Sequence, residues 1–324
     1  MRSRRALLFL ALTAGSVIAA VAYVAQASLG VDRSAPPATV APGEGSRVVF
    51  RSRDGADPES NGRTAMVALA RPGGPRRTLG RRCERSYFTR EHGICLAPRG
   101  DFVLSYVAEL LDARGQPRHE LRLRGFPSRA RISADGRLGT VTTFVNGHSY
   151  AAEGAFSTRT VVIDMRRGVQ LLELEELTVL RDGRRIRGED FNFWGVTFAR
   201  DSNRFYATLA TGGSTYLIQG DVRARTATVL HENVECPSLA PDGTRIAYKK
   251  LVGDSGEWRL HVLDLRTMAE TPVAETRSVD DQVEWLDDRR LLYGHEGDVW
   301  TAAADGGGAP RVFLRHADSP AVVR

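Results

Sequence analysis

Short runs of β-branched and aromatic residues alternate with turns rich in Gly, Asp and Asn from about residue 47 onwards. Such runs, bounded by turn residues, are typical of β-strands, and no segment in this region has the apolar period of an amphipathic helix. The hydrophobic pattern therefore predicts an all-β fold for this part of the chain.

One turn recurs along the strand-rich region. In this turn Pro presets φ, Asp accepts hydrogen bonds within its own turn, and Gly takes a positive φ without steric cost. A strand is predicted after each copy. The copies lie at residues 97–100, 133–136, 199–202 and 240–243, with a degenerate copy at 286–289.

Each copy belongs to a unit of four predicted strands. The last residues of the first four turns and position 289 of the degenerate copy are 36, 66, 41 and 46 residues apart. Four-stranded units of about this length are typical of β-propeller blades. We interpret the gap of 66 residues as one blade with two inserted loops, at 146–157 and 175–190.

The first and last predicted strands complete the count of blades. Arg47–Ser52 lacks a preceding partner, and residues 319–323 lack a following one. Pairing these two strands makes one composite blade and removes free sheet edges. Five internal units and this composite predict a six-bladed β-propeller at residues 47–324, closed by the C-terminal strand.

The N-terminal segment predicts the compartment. Residues 1–5 are basic, and residues 6–25 form an uncharged run that is long enough to span a bilayer as a helix. The Ala-Gln-Ala sequence at 25–27 favours a cleaved signal peptide, whereas the length of the run favours a retained transmembrane anchor, and both alternatives stay open. Either alternative places an N-terminal signal or anchor helix at 1–27 and the remaining chain outside the cytoplasm, anchored to the cell membrane or secreted. Residues 28–46, rich in Pro, Ala, Gly and Ser, are interpreted as a flexible linker.

The charge and the metal-ligating residues exclude several kinds of partner. The formal charge of +6 falls to +3 without Arg2, Arg4 and Arg5, which is too small an excess to predict nucleic-acid binding. The seven histidines show no zinc-site spacing, and the acidic stretch around residues 280–288 contains no calcium-loop pattern. We therefore expect neither a metal nor another cofactor.

The chain has three cysteines, and an exported chain permits disulfides. Cys83 and Cys95 lie twelve residues apart across a predicted turn and could form a bridge that leaves Cys236 unpaired. Three buried thiols fit the sequence equally well, because spacing alone does not place two Cα atoms within bonding range.

Candidate binding residues come from the predicted geometry of the ring. The first strand of each blade is innermost, and its leading end lines the mouth of the central channel. Polar side chains and one Trp occupy these leading ends in several units and would converge there, although an internal plug or a solvated rim is the alternative. The candidate residues are Ser128, Arg129, Asn192, Trp194, Glu235, Asp280, Asp281 and Gln282.

The first strands also share an apolar position when they are aligned on the turns at 133–136, 199–202, 240–243 and 286–289. It lies one residue before the turn and is occupied by Ile132, Phe198, Leu239 and Trp285. Apolar residues at a constant position of a repeated strand are typical of a core, so we expect these side chains to pack between blades.

The repeat resembles a known family. The sequence Ala-Pro-Asp-Gly-Thr-Arg-Ile-Ala-Tyr at 240–248, with Leu-His-Val-Leu-Asp-Leu at 260–265, is similar to the repeat of TolB-type six-bladed propellers, and residues 133–138 and 298–300 are weaker copies. The resemblance covers about residues 47–324 and implies the propeller fold and partner binding in the cell envelope. TolB carries an additional α/β domain before its propeller, where this chain has only a spacer. The exported part more closely resembles an actinobacterial group of TolB-like translocation proteins.

These observations favour a non-enzymatic binding module at the cell envelope. Its expected partner is an envelope protein or a small ligand, with membrane contact through the N-terminal segment if that segment is retained, and the chain is expected to be a monomer. No catalytic residue is assigned. The alternative is a hydrolase or lyase that acts in the channel on a cell-wall or extracellular substrate, with Glu235, Asp281 and Arg129 as its candidate groups.

Overall fold

The structure is a computed structural model that describes residues 45–100, 105–145, 157–253 and 256–324. Apart from one turn of 3-10 helix, η1 (Leu174–Glu176), the regular elements of these residues are β-strands, which confirms the all-β prediction. In chain order the strands are β1 (Arg47–Ser52), β2 (Arg63–Ala68), β3 (Arg77–Arg82), β4 (Arg85–Phe88), β5 (His92–Arg99), β6 (Ser105–Asp112), β7 (Pro117–Leu123), β8 (Phe126–Ile132), β9 (Leu138–Val145), β10 (Ser157–Asp164), β11 (Val169–Glu173), β12 (Thr178–Arg181), β13 (Arg184–Ile186), β14 (Asn192–Phe198), β15 (Arg204–Thr211), β16 (Ser214–Asp221), β17 (Thr226–Glu232), β18 (Glu235–Leu239), β19 (Arg245–Val252), β20 (Glu257–Asp264), β21 (Glu270–Pro272), β22 (Glu284–Trp285), β23 (Arg290–His295), β24 (Asp298–Ala303), β25 (Arg311–Leu314) and β26 (Ala317–Val323).

The described strands form six sheets, and four successive antiparallel strands of each sheet are one of the six blades of a propeller, which confirms the predicted fold class. We number the blades along the chain. Their strands, from the innermost outwards, are β26-β1-β2-β3, β4-β5-β6-β7, β8-β9-β10-β11, β14-β15-β16-β17, β18-β19-β20-β21 and β22-β23-β24-β25. Each innermost strand contacts the innermost strands of the two neighbouring blades, so these six strands form a closed ring around the axis.

The ring closes through blade 1. Its inner strand β26 pairs antiparallel with β1, from Arg47 opposite Val323 to Ser52 opposite Ala317. This is the pairing expected from the sequence. It leaves no unpaired edge on β1, so the ring does not depend on an exposed strand edge.

The hydrophobic core lies between successive blades. One cluster joins Leu138 and Val162 of blade 3 to Phe193 and Phe205 of blade 4. A second cluster has the same relation to blades 5 and 6. Alternate residues of each strand therefore face a neighbouring blade, and this face-to-face packing holds the inner strands in place.

The turn predicted at residues 97–100 is wrong. Residues 97–99 belong to β5, the second strand of blade 2, and Pro98 lies opposite Tyr106 of β6. The pairing of β5 with β4 ends at Leu96, so no neighbouring strand requires an N–H from Pro98 on that side. The first turn of this blade instead joins β4 to β5 at residues 89–91.

The prediction of a loop at 175–190 is also wrong. This segment contains η1 and the hairpin β12–β13, and β12 pairs in parallel with the outer strand β17, so the sheet of blade 4 has six strands. The turn of the hairpin consists of Asp182 and Gly183, both at positive φ, as a two-residue hairpin turn requires. The other predicted insertion, at 146–157, lies outside the described residues except for Ser157, which begins β10.

The predicted signal or anchor segment, and all of the predicted linker except its last two residues, lie outside the described residues. Among the residues that are described, no helix is long and apolar enough to cross a membrane. Cys83 and Cys95 form a disulfide, whereas Cys236 is a buried free thiol. The bridge joins the connection between blades 1 and 2 to strand β5.

Candidate functional site

The central channel has two ends with different chemistry. We call the end where the inner strands begin the leading end, and the end where they turn into the second strands the trailing end. All eight candidate residues from the sequence lie at or near the leading end, on β8, β14 and β18 and just before β22.

The inner strands carry irregularities between these two ends. The pairing with the second strand shifts register within β8, β14, β18 and β26. In three of these strands a residue has positive φ, namely Gly195, Cys236 and Ser319. Bulges of this kind redirect side chains, and here they separate the polar leading halves of the strands from the trailing halves.

At the leading end, Lys249 of β19 is the centre of one charged group. Its ammonium forms ion pairs with Asp280 and, at 3.6 Å, with Glu235, and it lies 4.5 Å from the ring centre of Trp258. Burial raises the pKa of Glu235, while the nearby Lys249 opposes this shift. Two of the predicted residues, Glu235 and Asp280, are therefore held together by a lysine that sequence reasoning did not include.

Arg129 and Asp281 meet less closely, with 3.8 Å between Nη2 and Oδ1. The carboxylate of Asp281 accepts hydrogen bonds from the backbone amides of Gln282 at 2.9 Å and Gly294 at 2.8 Å. Arg85 of β4 also lies here, since its Nε donates to the carbonyl oxygen of Ser128 at 3.0 Å.

The remaining predicted residues make contacts that support the fold. Oδ1 of Asn192 accepts a 2.7 Å hydrogen bond from the backbone N–H of Thr158, which joins blades 3 and 4. The buried side-chain amide of Gln282 donates to the carbonyl of Pro237 at 2.9 Å. Trp194 is 9% exposed. Ligand binding by these three residues stays a prediction.

The trailing end contains a cavity of about 520 Å³. Part of the lining of this cavity comes from small residues of the turns that follow the inner strands. Because these side chains are small, space remains between the turns. The small residues are Ala134, Gly136, Ala240 and Pro241. By contrast, the cavity lined by Arg85, Arg129 and Asp281 towards the leading end measures about 40 Å³.

A buried ion pair between Arg131 and Glu284 forms the floor of the trailing cavity. Nη2 of Arg131 also donates to the hydroxyl of Ser238 at 3.2 Å and to the carbonyl of Val283 at 2.8 Å. The arginine is 7% exposed, yet its buried Nε has no acceptor. The floor therefore contains one buried hydrogen-bond donor without an acceptor.

Tyr87 covers the same ion pair. Its ring lies 4.8 Å below the guanidinium carbon of Arg131, and its hydroxyl donates to Glu284 at 3.3 Å. Burial, reinforced by the Glu284 carboxylate, raises the pKa of Tyr87 to about 12. The phenol therefore stays protonated at physiological pH and acts as a donor in this floor.

Apolar and charged side chains complete the trailing cavity. Phe198 and Leu239 form part of its wall and are only partly buried, whereas Arg90 and Arg200 are exposed at its rim. Sequence reasoning assigned Phe198 and Leu239 to the core between blades. Both side chains do pack against clusters between blades, as predicted, and they also border the cavity, which their apolar character did not indicate.

The described residues contain no group of three or more His, Cys, Asp or Glu side chains that could hold a metal ion. The paired groups at the two ends can supply hydrogen-bond donors, fixed charge and apolar surface. This is the chemistry of a binding site for a molecule with an apolar body and polar acceptors.

The sequence matches no protein-family model and no curated protein. Solved structures do match its fold. TolB from Acinetobacter baumannii is 15% identical with a TM-score of 0.58, covering 88% of this chain and 68% of that chain. A chain of a nidogen/laminin complex is 10% identical with a TM-score of 0.57, covering 86% and 98% of the two chains.

The tricorn protease is a third similar structure. It is 10% identical with a TM-score of 0.53, and the match covers 88% of this chain but only 31% of the protease chain. Structural similarity at such low sequence identity establishes the fold alone, and any activity has to be inferred from the residues of the site. The chain has the fold of a TolB-like six-bladed β-propeller.

Proposed function

We propose that this protein is an extracytoplasmic, non-enzymatic binding module of the cell envelope that acts as a monomer. Its trailing cavity would receive a small ligand or a protruding segment of an envelope protein. One observation carries the proposal: the cavity has partly exposed apolar walls and, at its floor, the donor Nε of Arg131 without an acceptor. A buried donor of this kind gains an interaction when a ligand brings an oxygen to it.

The volume supports the choice of the trailing end. Pockets for small molecules commonly measure about 300–1,000 Å³. The trailing cavity, at about 520 Å³, lies in this range, and the leading cavity, at about 40 Å³, does not.

The disulfide supports the proposed compartment. Bridges such as Cys83–Cys95 persist mainly in oxidising compartments, and the uncharged N-terminal run predicts export. Mass spectrometry of the mature N-terminus, together with the distribution between membrane and soluble fractions, will test export and distinguish cleavage from anchoring. An uncleaved chain in the cytosol, with free thiols at both positions, would contradict this compartment.

The binding function is tested by filling the cavity. A fragment library is screened by ligand-observed NMR against the wild-type protein, Leu239→Trp and Leu251→Trp. The first variant places an indole in the trailing cavity, and the second adds the same side chain at an exposed position of β19, where Leu251 is 38% exposed. We expect hits that disappear with Leu239→Trp and persist with Leu251→Trp. An absence of hits, or hits that survive both changes, would contradict the proposal.

A second candidate function has one observation in its favour. Burial raises the pKa of Glu235, as general acids of hydrolases require, and Lys249 lies beside it. In that case the wild-type protein should hydrolyse or cleave a cell-wall polymer, and Glu235→Gln should abolish the activity while Leu239→Trp leaves it intact. An inactive wild-type protein excludes this alternative for the polymer tested.

A further inference from the structure

Two arginines at the leading end, Arg85 and Arg129, lie side by side. Nε of Arg85 and Nη1 of Arg129 both donate to the same acceptor, the carbonyl oxygen of Ser128, at 3.0 and 3.3 Å. Two guanidinium groups that share one oxygen are close enough for their positive charges to repel.

The carboxylates around this pair are mostly engaged elsewhere. Asp318 forms a two-point contact with Arg51, at 2.9 and 2.8 Å, and Glu84 pairs with the same arginine at 3.3 Å. Asp280 is paired with Lys249. The other cations at this end therefore use these three acids.

Among the described carboxylates, Asp281 is the one within ion-pair distance of the arginine pair, while Asp280 and Asp318 act on the pair from farther away. Asp281 lies 3.8 Å from Arg129 and already accepts two backbone hydrogen bonds. No described carboxylate lies within ion-pair distance of Arg85, whose guanidinium bonds only to the carbonyls of Ser128 and Glu84. Arg85 thus has no described carboxylate in direct contact, and Arg129 has one at the limit of ion-pair distance.

The two arginines differ in their electrostatics: burial lowers the pKa of Arg129, but its neighbours Cys236 and Asp281 raise it overall. Burial lowers the pKa of Arg85, and the charges of Arg129 and Arg51 lower it further. The Nε of Arg129 is buried without an acceptor. The unused buried donor of Arg129, beside the unfavourably placed charge of Arg85, favours an anion that brings oxygen atoms.

The space beside the arginines suits a single chemical group. Both side chains line the cavity of about 40 Å³, together with Asp281, Ser319 and Pro320. This volume exceeds what one water molecule needs but is much smaller than a metabolite site. The planar, fork-shaped donors of arginine match carboxylate and phosphate oxygens.

We propose that Arg85 and Arg129 bind one oxyanion group, a carboxylate or a phosphate, at the leading end of the channel. The group takes the free donors of the two guanidiniums. The two cavities share Tyr87 and Arg131 in their linings, but the proposed oxyanion contacts are made by Arg85 and Arg129, so either proposal can fail without the other.

The test is a calorimetric titration of the full-length protein with sodium phosphate and, separately, sodium acetate, against sodium chloride at equal ionic strength. We expect at least one oxyanion to bind more tightly than chloride. Arg85→Gln should weaken this binding by at least about tenfold, because a charge-assisted hydrogen bond is lost. Arg266→Gln, which removes the same charge from an exposed turn of blade 5, should leave it unchanged.

A variant that should bind the oxyanion more tightly controls for loss of binding through misfolding. Asp281→Asn removes the carboxylate within ion-pair distance of Arg129 and should tighten oxyanion binding. Leu239→Trp, at the other end, should not alter it. The proposal is overturned if neither oxyanion binds better than chloride, if Arg266→Gln weakens binding as much as Arg85→Gln, or if Asp281→Asn weakens it.

Discussion

The two ends of the channel are built from the same inner strands but differ in what their side chains do. At the leading end most charged groups are paired, as in the contacts of Lys249 with Glu235 and Asp280, and about 40 Å³ of space remains. At the trailing end, small turn residues leave a cavity of about 520 Å³ above one buried ion pair. Charged side chains that meet in the channel of a propeller can therefore pair with one another and stabilise the ring. The space for a ligand depends instead on the size of the residues in the turns.

The largest expected effect compares one carboxylate at each end. Glu284→Gln leaves Arg131 buried without its counter-charge, which should lower the free energy of unfolding by about 3–5 kcal/mol. Asp280→Asn removes a carboxylate whose side chain is 76% exposed, and Lys249 keeps Glu235, so the loss should stay below about 1 kcal/mol. Denaturant unfolding measures both values. Equal losses would show that the two ends are not distinct in burial.

The next effect concerns the strands between the two ends. Gly195 has a φ of 64°, and a Cβ there would lie 2.6 Å from Cα of Cys236 in the next blade. Gly195→Ala should therefore lower the free energy of unfolding by more than about 2 kcal/mol. Gly212→Ala is the control, since φ is 58° but no atom lies within 4 Å of its Cβ, and it should cost about 1 kcal/mol. Similar losses would mean that the inner strands are not packed closely here.

A smaller effect depends on pH and belongs to the leading end. Burial raises the pKa of Glu235 in the folded protein above the ordinary value of 4.5. The unfolded chain therefore loses this proton first, so the stability that the group contributes below pH 4.5 is lost as pH rises through the raised pKa. Glu235→Gln removes this dependence. The variant should gain stability relative to wild type as pH rises above 4.5 in urea titrations, and a constant difference would contradict the buried environment.

The smallest effect is expected at the rim of the trailing cavity. Arg200 is exposed and donates to the carbonyl of Pro241. Arg200→Gln should change the free energy of unfolding by no more than about 0.5 kcal/mol. Calorimetric unfolding measures this difference. A larger loss would show that Arg200 stabilises the fold, which would contradict its place at the open rim of the cavity.

The sequence predicted the ring better than the site. The apolar strand pattern and the unpaired strands Arg47–Ser52 and 319–323 were sufficient for six blades, because repeats and closure are visible in one dimension. The hairpin β12–β13 was missed although its Asp-Gly turn is a local signal, since its strands lack apolar alternation.

The sequence failed to indicate the site residues at the two ends for different reasons. Arg85 was overlooked because the turn of blade 2 was assigned to residues 97–100, whereas the true turn, at 89–91, lacks Pro, Asp and Gly. Lys249 lies on a second strand, outside the aligned positions. Phe198 and Leu239 pack between blades as predicted, but an apolar pattern does not show that such a side chain also borders a cavity.

The central claim, that the trailing cavity receives the ligand, is tested most directly by the NMR signal of the Arg131 Nε–H group. In the free protein this buried donor has no acceptor. We expect that fragments which bind the wild-type protein shift the Arg131 Nε–H signal downfield, because a new hydrogen bond forms. The Nε–H signal of Arg85 should stay unchanged. Fragments that bind while the Arg131 signal stays in place would contradict the central claim.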